Sequence, residues 1–165
     1  MYENKNNETK NTSSYPFGYD SLGTMTGFLF WQITHMWQTQ QEKKLKRLFG
    51  ISQLHYVILA STYWLNIHGI EVTQSYLSAH AKVEKMTVSK NVSMLQDLGY
   101  IERSQHLKDK RAKTITISQK GKELLEKAIV EIEKMDNYYF DVLKRRRNMF
   151  NQMLLLMLEE HDFLT

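Results

Sequence analysis

Side chains able to do binding chemistry concentrate between residues 74 and 122 of this 165-residue chain. That stretch holds ten Lys and Arg against four Asp and Glu, whereas the remaining residues hold twelve against fourteen. The formal charge of +4 therefore resolves into +6 on one segment and −2 elsewhere. A located basic face of this kind is the footprint of a nucleic-acid-binding surface; an ordinary solvated surface is the competing reading. Within the segment, Lys85, Met86, Ser89, Lys90 and Ser93 share one side of a helical period, opposite Val88, Val92 and Leu95. Short or flexible side chains can approach base edges closely. Lys donates to guanine acceptors, Ser to several groups, and Met touches a thymine methyl. A second cluster, HLKDKRAK at 106–113, carries Lys108, Lys110, Arg111 and Lys113 around Asp109. An Arg at the tip of such a loop can reach a narrow minor groove, where the potential is more negative, and Arg111 is assigned that place. Asp109 reads as an internal brace that orients Arg111 or caps the turn. Thr73, Gln74 and Ser75 add hydroxyls and free backbone N–H groups at a helix start, which suit a phosphate.

Other chemistries find no support. With no Cys, the chain has no disulfide framework, thiol nucleophile, thiolate zinc site or Cys-held Fe–S cluster. His35, His55, His68, His80, His106 and His161 form no i,i+4 pair. The chain contains no HExxH, GxSxG or Gly-rich phosphate loop, and no enzyme activity, metal site or cofactor is expected. The first 20 residues are polar and Asn-rich, and no apolar run approaches the ~18 residues of a membrane span. A flexible N-terminal tail over 1–20, no membrane partner and a cytoplasmic location follow as expectations.

The elements that must position these side chains are mostly helical. Leu22, Met25, Leu29, Ile33 and Met36 predict a long helix from Ser21 to about Leu48, stopped by Gly50. Ser52 caps a second helix carrying Leu54, Val57 and Ile58. Thr73 opens a short third helix with Tyr76, Leu77 and Ala81 inward, and a fourth runs from Lys85 to Leu98, closed by Gly99. Around Tyr100–Arg103 and again at KTITIS, 113–118, the pattern becomes a basic strand–loop–strand hairpin. Ser118 caps a fifth helix of roughly 25 residues, LKRRRNMF at 143–150 breaks its stripe, and a last helix covers about Met149 to Glu160. The fold class is mostly α with a small β-hairpin wing: a winged helix-turn-helix flanked by long N- and C-terminal dimerisation helices. The terminal helices are too long for the middle core to cover, which predicts a two-fold homodimer. The organisation is a dimerisation helix at 21–50, a DNA-binding lobe at 51–120 and further dimerisation helices at 121–165.

The segments TVSKNVSMLQDLGYI at 87–101 and DKRAKTITISQKG at 109–121 resemble the DNA-binding lobe of the MarR family of bacterial regulators. The flanking helices match in length and order, so the resemblance spans roughly residues 21–160. It implies a sequence-specific regulator of double-stranded DNA, expected to be a ligand-responsive repressor on a near-palindromic operator. It also implies a small aromatic or amphipathic effector, held between the dimerisation helices and the DNA-binding lobe. Phe30, Trp31, Trp37, Tyr56, Tyr63 and Trp64 are the candidates for such a pocket, with core packing as the alternative for most of them. One departure stands out: Glu84 occupies the place where the fourth helix usually has a short Ser, Thr or Asp cap. That acid motivates the alternative function, a winged-helix protein-interaction module without specific DNA binding.

Overall fold

The computed structural model describes residues 22–105 and 113–162, and these form six α-helices and one hairpin. Helix α1 (Thr26–Phe49) follows a 3-10 turn at Leu22–Thr24. Helices α2 (Gln53–Ile67), α3 (Gln74–Ala81) and α4 (Lys85–Asp97) lead into strands β1 (Ile101–Gln105) and β2 (Lys113–Ile117). Helix α5 (Gln119–Phe140) is separated from α6 (Arg147–Asp162) by a 3-10 stretch at Asp141–Arg146. The expected order of helices and hairpin is therefore present, with β1 running two residues beyond Arg103.

Local chemistry sets most of the boundaries. Ser52 Oγ accepts from the His55 N–H at 3.1 Å, and His55 Nδ1 accepts from the Ser52 N–H, a reciprocal cap in which His replaces the usual acid. Thr73 caps α3 through the Tyr76 N–H, and Ser118 caps α5 through the Gly121 N–H. Each cap satisfies an otherwise orphaned amide, worth about 1 kcal/mol. Gly99 ends α4 at φ +74°, a conformation that costs other residues a Cβ clash. Between α5 and α6 the backbone leaves helical geometry at Lys144 (φ 47°, ψ −127°), inside the expected Lys/Arg-rich break.

Contacts divide the chain into residues 1–37 and 38–165, a boundary that falls inside α1. In the first unit the side chains of Phe28, Phe30 and Trp31 are exposed along α1, and Trp31 stacks on Phe28 and on His35. The second unit holds a continuous core from Leu45, Ile58, Leu59, Leu77, Val88, Val92, Leu95, Ile101, Ile115, Leu125 and Ala128. The hairpin pairs antiparallel, with Ile101 opposite Ile117 and Gln105 opposite Lys113. It is tied inward by the Ile115 N–H to Val72 O at 2.8 Å, and by the Asn66 amide, which bonds both Ile115 O and the Ile117 N–H.

One inward assignment is corrected. Tyr76 is exposed, and Leu77 alone from α3 is fully buried. The helix has only eight residues and buries a single position, so Tyr76, one residue before Leu77, faces away from the core. Helix α6 buries none of its described side chains, and Met149, Met153, Leu155, Leu156, Met157 and Leu158 are exposed along it.

Candidate nucleic-acid interface

Helix α4 owes its position to Val88, Val92 and Leu95, all at 0% exposure. Their spacing of four and three turns the other side of the helix outward. Lys85, Met86 and Lys90 are exposed there, Met86 at 77%, while Ser89 and Ser93 are half-buried at the margins. Ser93 is already engaged, because its Oγ accepts from Arg103 Nη2 at 2.9 Å. Arg103 lies on β1 opposite Ile115, so the hairpin is braced directly against the outward face of α4. Sequence reasoning counted Arg103 as charge and missed this contact, because no local pattern joins a strand residue to a helix residue ten positions earlier.

Ahead of α4, α3 begins at Thr73, whose Oγ1 accepts from the Tyr76 N–H at 3.2 Å. Gln74 is half-buried and Ser75 exposed in the same turn. The connection from α3 to α4 is tightened by Ser78, which bonds Val83 at both O and N–H. Glu84 occupies the N-cap of α4 and makes no side-chain capping bond, as its length led one to expect. Lys113 is exposed at the described end of the hairpin, while His106, Lys108, Asp109, Lys110 and Arg111 lie outside the described residues.

A polar seam joins the later part of α1 to α2 and α5. Buried Gln41 donates to Asp136 Oδ1 at 3.2 Å and accepts from Gln53 Nε2 at 3.0 Å. Lys44 bonds both the carboxylate and the backbone oxygen of Glu131. Glu131 is held below the usual carboxylate range by hydrogen bonds from Lys134 and Lys44. Burial raises the Glu42 pKa, but the Gln53 N–H and Lys46 outweigh it and leave that carboxyl lowered. His55 is buried and, among the described residues, its Nε2 has no hydrogen-bond partner at bonding distance. Burial pushes its pKa below 6.5, against the pull of Glu42 and of Asn91 on α4.

Of the six aromatic pocket candidates, Phe30, Trp31 and Trp37 belong to the first unit and Tyr56, Tyr63 and Trp64 to the second. Trp64 is 49% exposed and lies against His68 and His80, at centroid distances of 4.2 and 5.8 Å. Tyr56 and Tyr63 are half-buried against the core, and burial raises the Tyr56 pKa. Phe30 and Trp31 are exposed on α1 and Trp37 is half-buried. An open groove of about 550 Å³ lies among Leu48, Phe49, Lys127, Val130 and Glu131. Among the described residues no group of His, Asp and Glu could hold a metal, and no helix is long and apolar enough to cross a membrane.

Residues 42–136 match the family model described as ArnR1-like, winged-helix domain. The chain is similar to the uncharacterized HTH-type transcriptional regulator YdcH of Bacillus subtilis (strain 168), at 32% identity over 142 residues, covering 86% of this chain and 96% of that one. Its fold is similar to that of Sco3205, a MarR family transcriptional regulator from Streptomyces coelicolor solved in complex with DNA. That match has a TM-score of 0.76 and 16% identity over 88% of this chain and 91% of the other. It is similar, too, to CouR from Rhodococcus jostii RHA1 bound to p-coumaroyl-CoA, with a TM-score of 0.74 and 22% identity over 89% and 98% of the two chains.

Proposed function

The chain belongs to the ArnR1-like winged-helix family and has the fold of MarR family regulators, and from that premise we propose that it represses transcription as a homodimer on a near-palindromic operator. It is a helix-turn-helix transcriptional regulator that binds double-stranded DNA, and the relatives it matches form a non-enzymatic class. The observation that carries the proposal is the outward face of α4: Lys85, Met86, Ser89 and Lys90 stand over fully buried Val88, Val92 and Leu95. A helix presented in this way can lay its polar side into a major groove.

Lys85, Met86, Ser89 and Lys90 read base edges, and Ser93 does so from the position in which Arg103 holds its oxygen. Thr73, Gln74 and Ser75 hold a phosphate and set the docking register. Lys108, Lys110, Arg111 and Lys113 carry the wing into the flanking minor groove, with Asp109 bracing Arg111. The exposed apolar side chains of α1 and α6 supply the surface for a second copy. The likeness to a regulator solved with p-coumaroyl-CoA supports a small aromatic or amphipathic effector that Phe30, Trp31, Trp37, Tyr56, Tyr63 and Trp64 would receive. Such a ligand acts by changing the spacing of the two recognition helices. The working location is the cytoplasm, where the operator is.

Selection of bound fragments from genomic DNA, followed by affinity measurements at two salt concentrations, tests the proposal. A fragment retained over bulk DNA at both salts is expected; binding without preference would leave only the protein-interaction alternative.

A further inference from the structure

The end of α4 and the beginning of α5 are joined by more bonds than chain continuity requires. Ser118 donates through its N–H to Tyr100 O at 3.0 Å and through its Oγ to Gly99 O at 2.7 Å. Lys120 Nζ donates to Leu98 O at 2.8 Å and stands 4.9 Å from the centre of the Tyr100 ring. A Cβ on Gly121 would fall 2.0 Å from Tyr100 O, so the two backbones are in contact with no room for a side chain. Three successive carbonyls after α4 (Leu98, Gly99 and Tyr100) thus all accept hydrogen bonds from the cap and first turn of α5.

We propose that Lys120, with Ser118 and Gly121, is a positioning residue for DNA recognition that locks the recognition helix α4 to the dimerisation helix α5 as one rigid piece. Lys120 is exposed and basic, so charge alone assigns it to phosphate. Its geometry assigns it to the protein instead: one of its three N–H donors is given to the Leu98 carbonyl and its charge lies against an aromatic face. The angle between α4 and α5 sets the separation of the two recognition helices in the dimer. Lys120 therefore acts on half-site spacing and touches no nucleotide. This inference rests on the DNA-binding reading above.

The test compares wild type, Lys120→Met and Lys120→Arg on the selected operator and on the same operator lengthened by one base pair between half-sites. Lys120→Met should lose roughly three- to tenfold in affinity, the worth of one modest hydrogen bond. The slope of log affinity against log salt should stay unchanged, and discrimination against the lengthened site should shrink. Lys120→Arg should restore both. A slope reduced by about 0.9 would make Lys120 a phosphate ligand and overturn the proposal. Unchanged affinity, or a loss with spacing discrimination intact, would overturn it equally. If wild type binds no operator, the DNA reading fails, and the clamp is judged by hydrogen exchange of the free protein. Lys120→Met should then speed exchange over residues 98–101, and unaltered exchange there would overturn the clamp.

Discussion

His55 shows how much one buried side chain can report. Burial lowers its pKa, so between that value and 6.5 the unfolded chain binds a proton that the folded chain does not. Stability is therefore full above about pH 7 and falls as the pH drops through the His55 range. Urea midpoints measured from pH 7.5 down to 5 should decline, and His55→Gln should flatten that decline. The lowered carboxyls of Glu42 and Glu131 act in a separate window, giving stability present above 4.5 and lost below it. At the DNA face the corresponding single-residue test is Arg111. Arg111→Ala should weaken operator binding by about 1–3 kcal/mol, measured by titration, with the dimer intact by sedimentation. Unchanged affinity would remove Arg111 from its assigned role. Ser93 and Lys120 mark what the sequence could not reveal at this scale. Both carry the right chemistry for DNA, yet Arg103 engages one and Leu98 the other through folds of the chain that no local spacing encodes.

Elements were more legible than contacts. The positions of Val88, Val92, Leu95 and Gly99 placed α4 and its end, because helical period and a left-handed terminus are local properties. Ser52, Thr73 and Ser118 announced three helix starts for the same reason. Tyr76 misled, since in so short a helix periodicity cannot tell which of two adjacent apolar residues faces the core. The seam of Gln41, Gln53 and Asp136 was also illegible, joining residues 95 positions apart. The α4–α5 junction offers a contrast between two glycines. Gly99→Ala should cost about 1–2 kcal/mol through its positive φ alone, because its Cβ would meet Lys120 at an ordinary 3.9 Å. Gly121→Ala should cost about 3 kcal/mol or more, because its Cβ would collide with the Tyr100 backbone. Thermal or urea unfolding of the two variants checks that order, and equal losses would mean the junction relaxes freely.

At the scale of the molecule, the fold was readable from the order of stripes, caps and hairpin, while the partner surface rests on what is left uncovered. Leu155, Leu156 and Leu158 on α6 are each more than half exposed, a poor arrangement for a helix alone in water. Replacing Leu155 and Leu156 by Glu should yield monomers in sedimentation experiments and abolish tight operator binding, since one half-site gives up the second set of contacts. A dimer that survives both changes would move the interface elsewhere. The central claim, that α4 reads a defined DNA sequence, is tested most directly by selecting genomic fragments on the purified protein and sequencing those retained. The expected result is a near-palindrome with half-site centres about 10 base pairs, or a multiple of that turn, apart, bound roughly a thousandfold or more tighter than bulk DNA. Retention of fragments with no shared sequence, at affinities equal to bulk DNA, would contradict it.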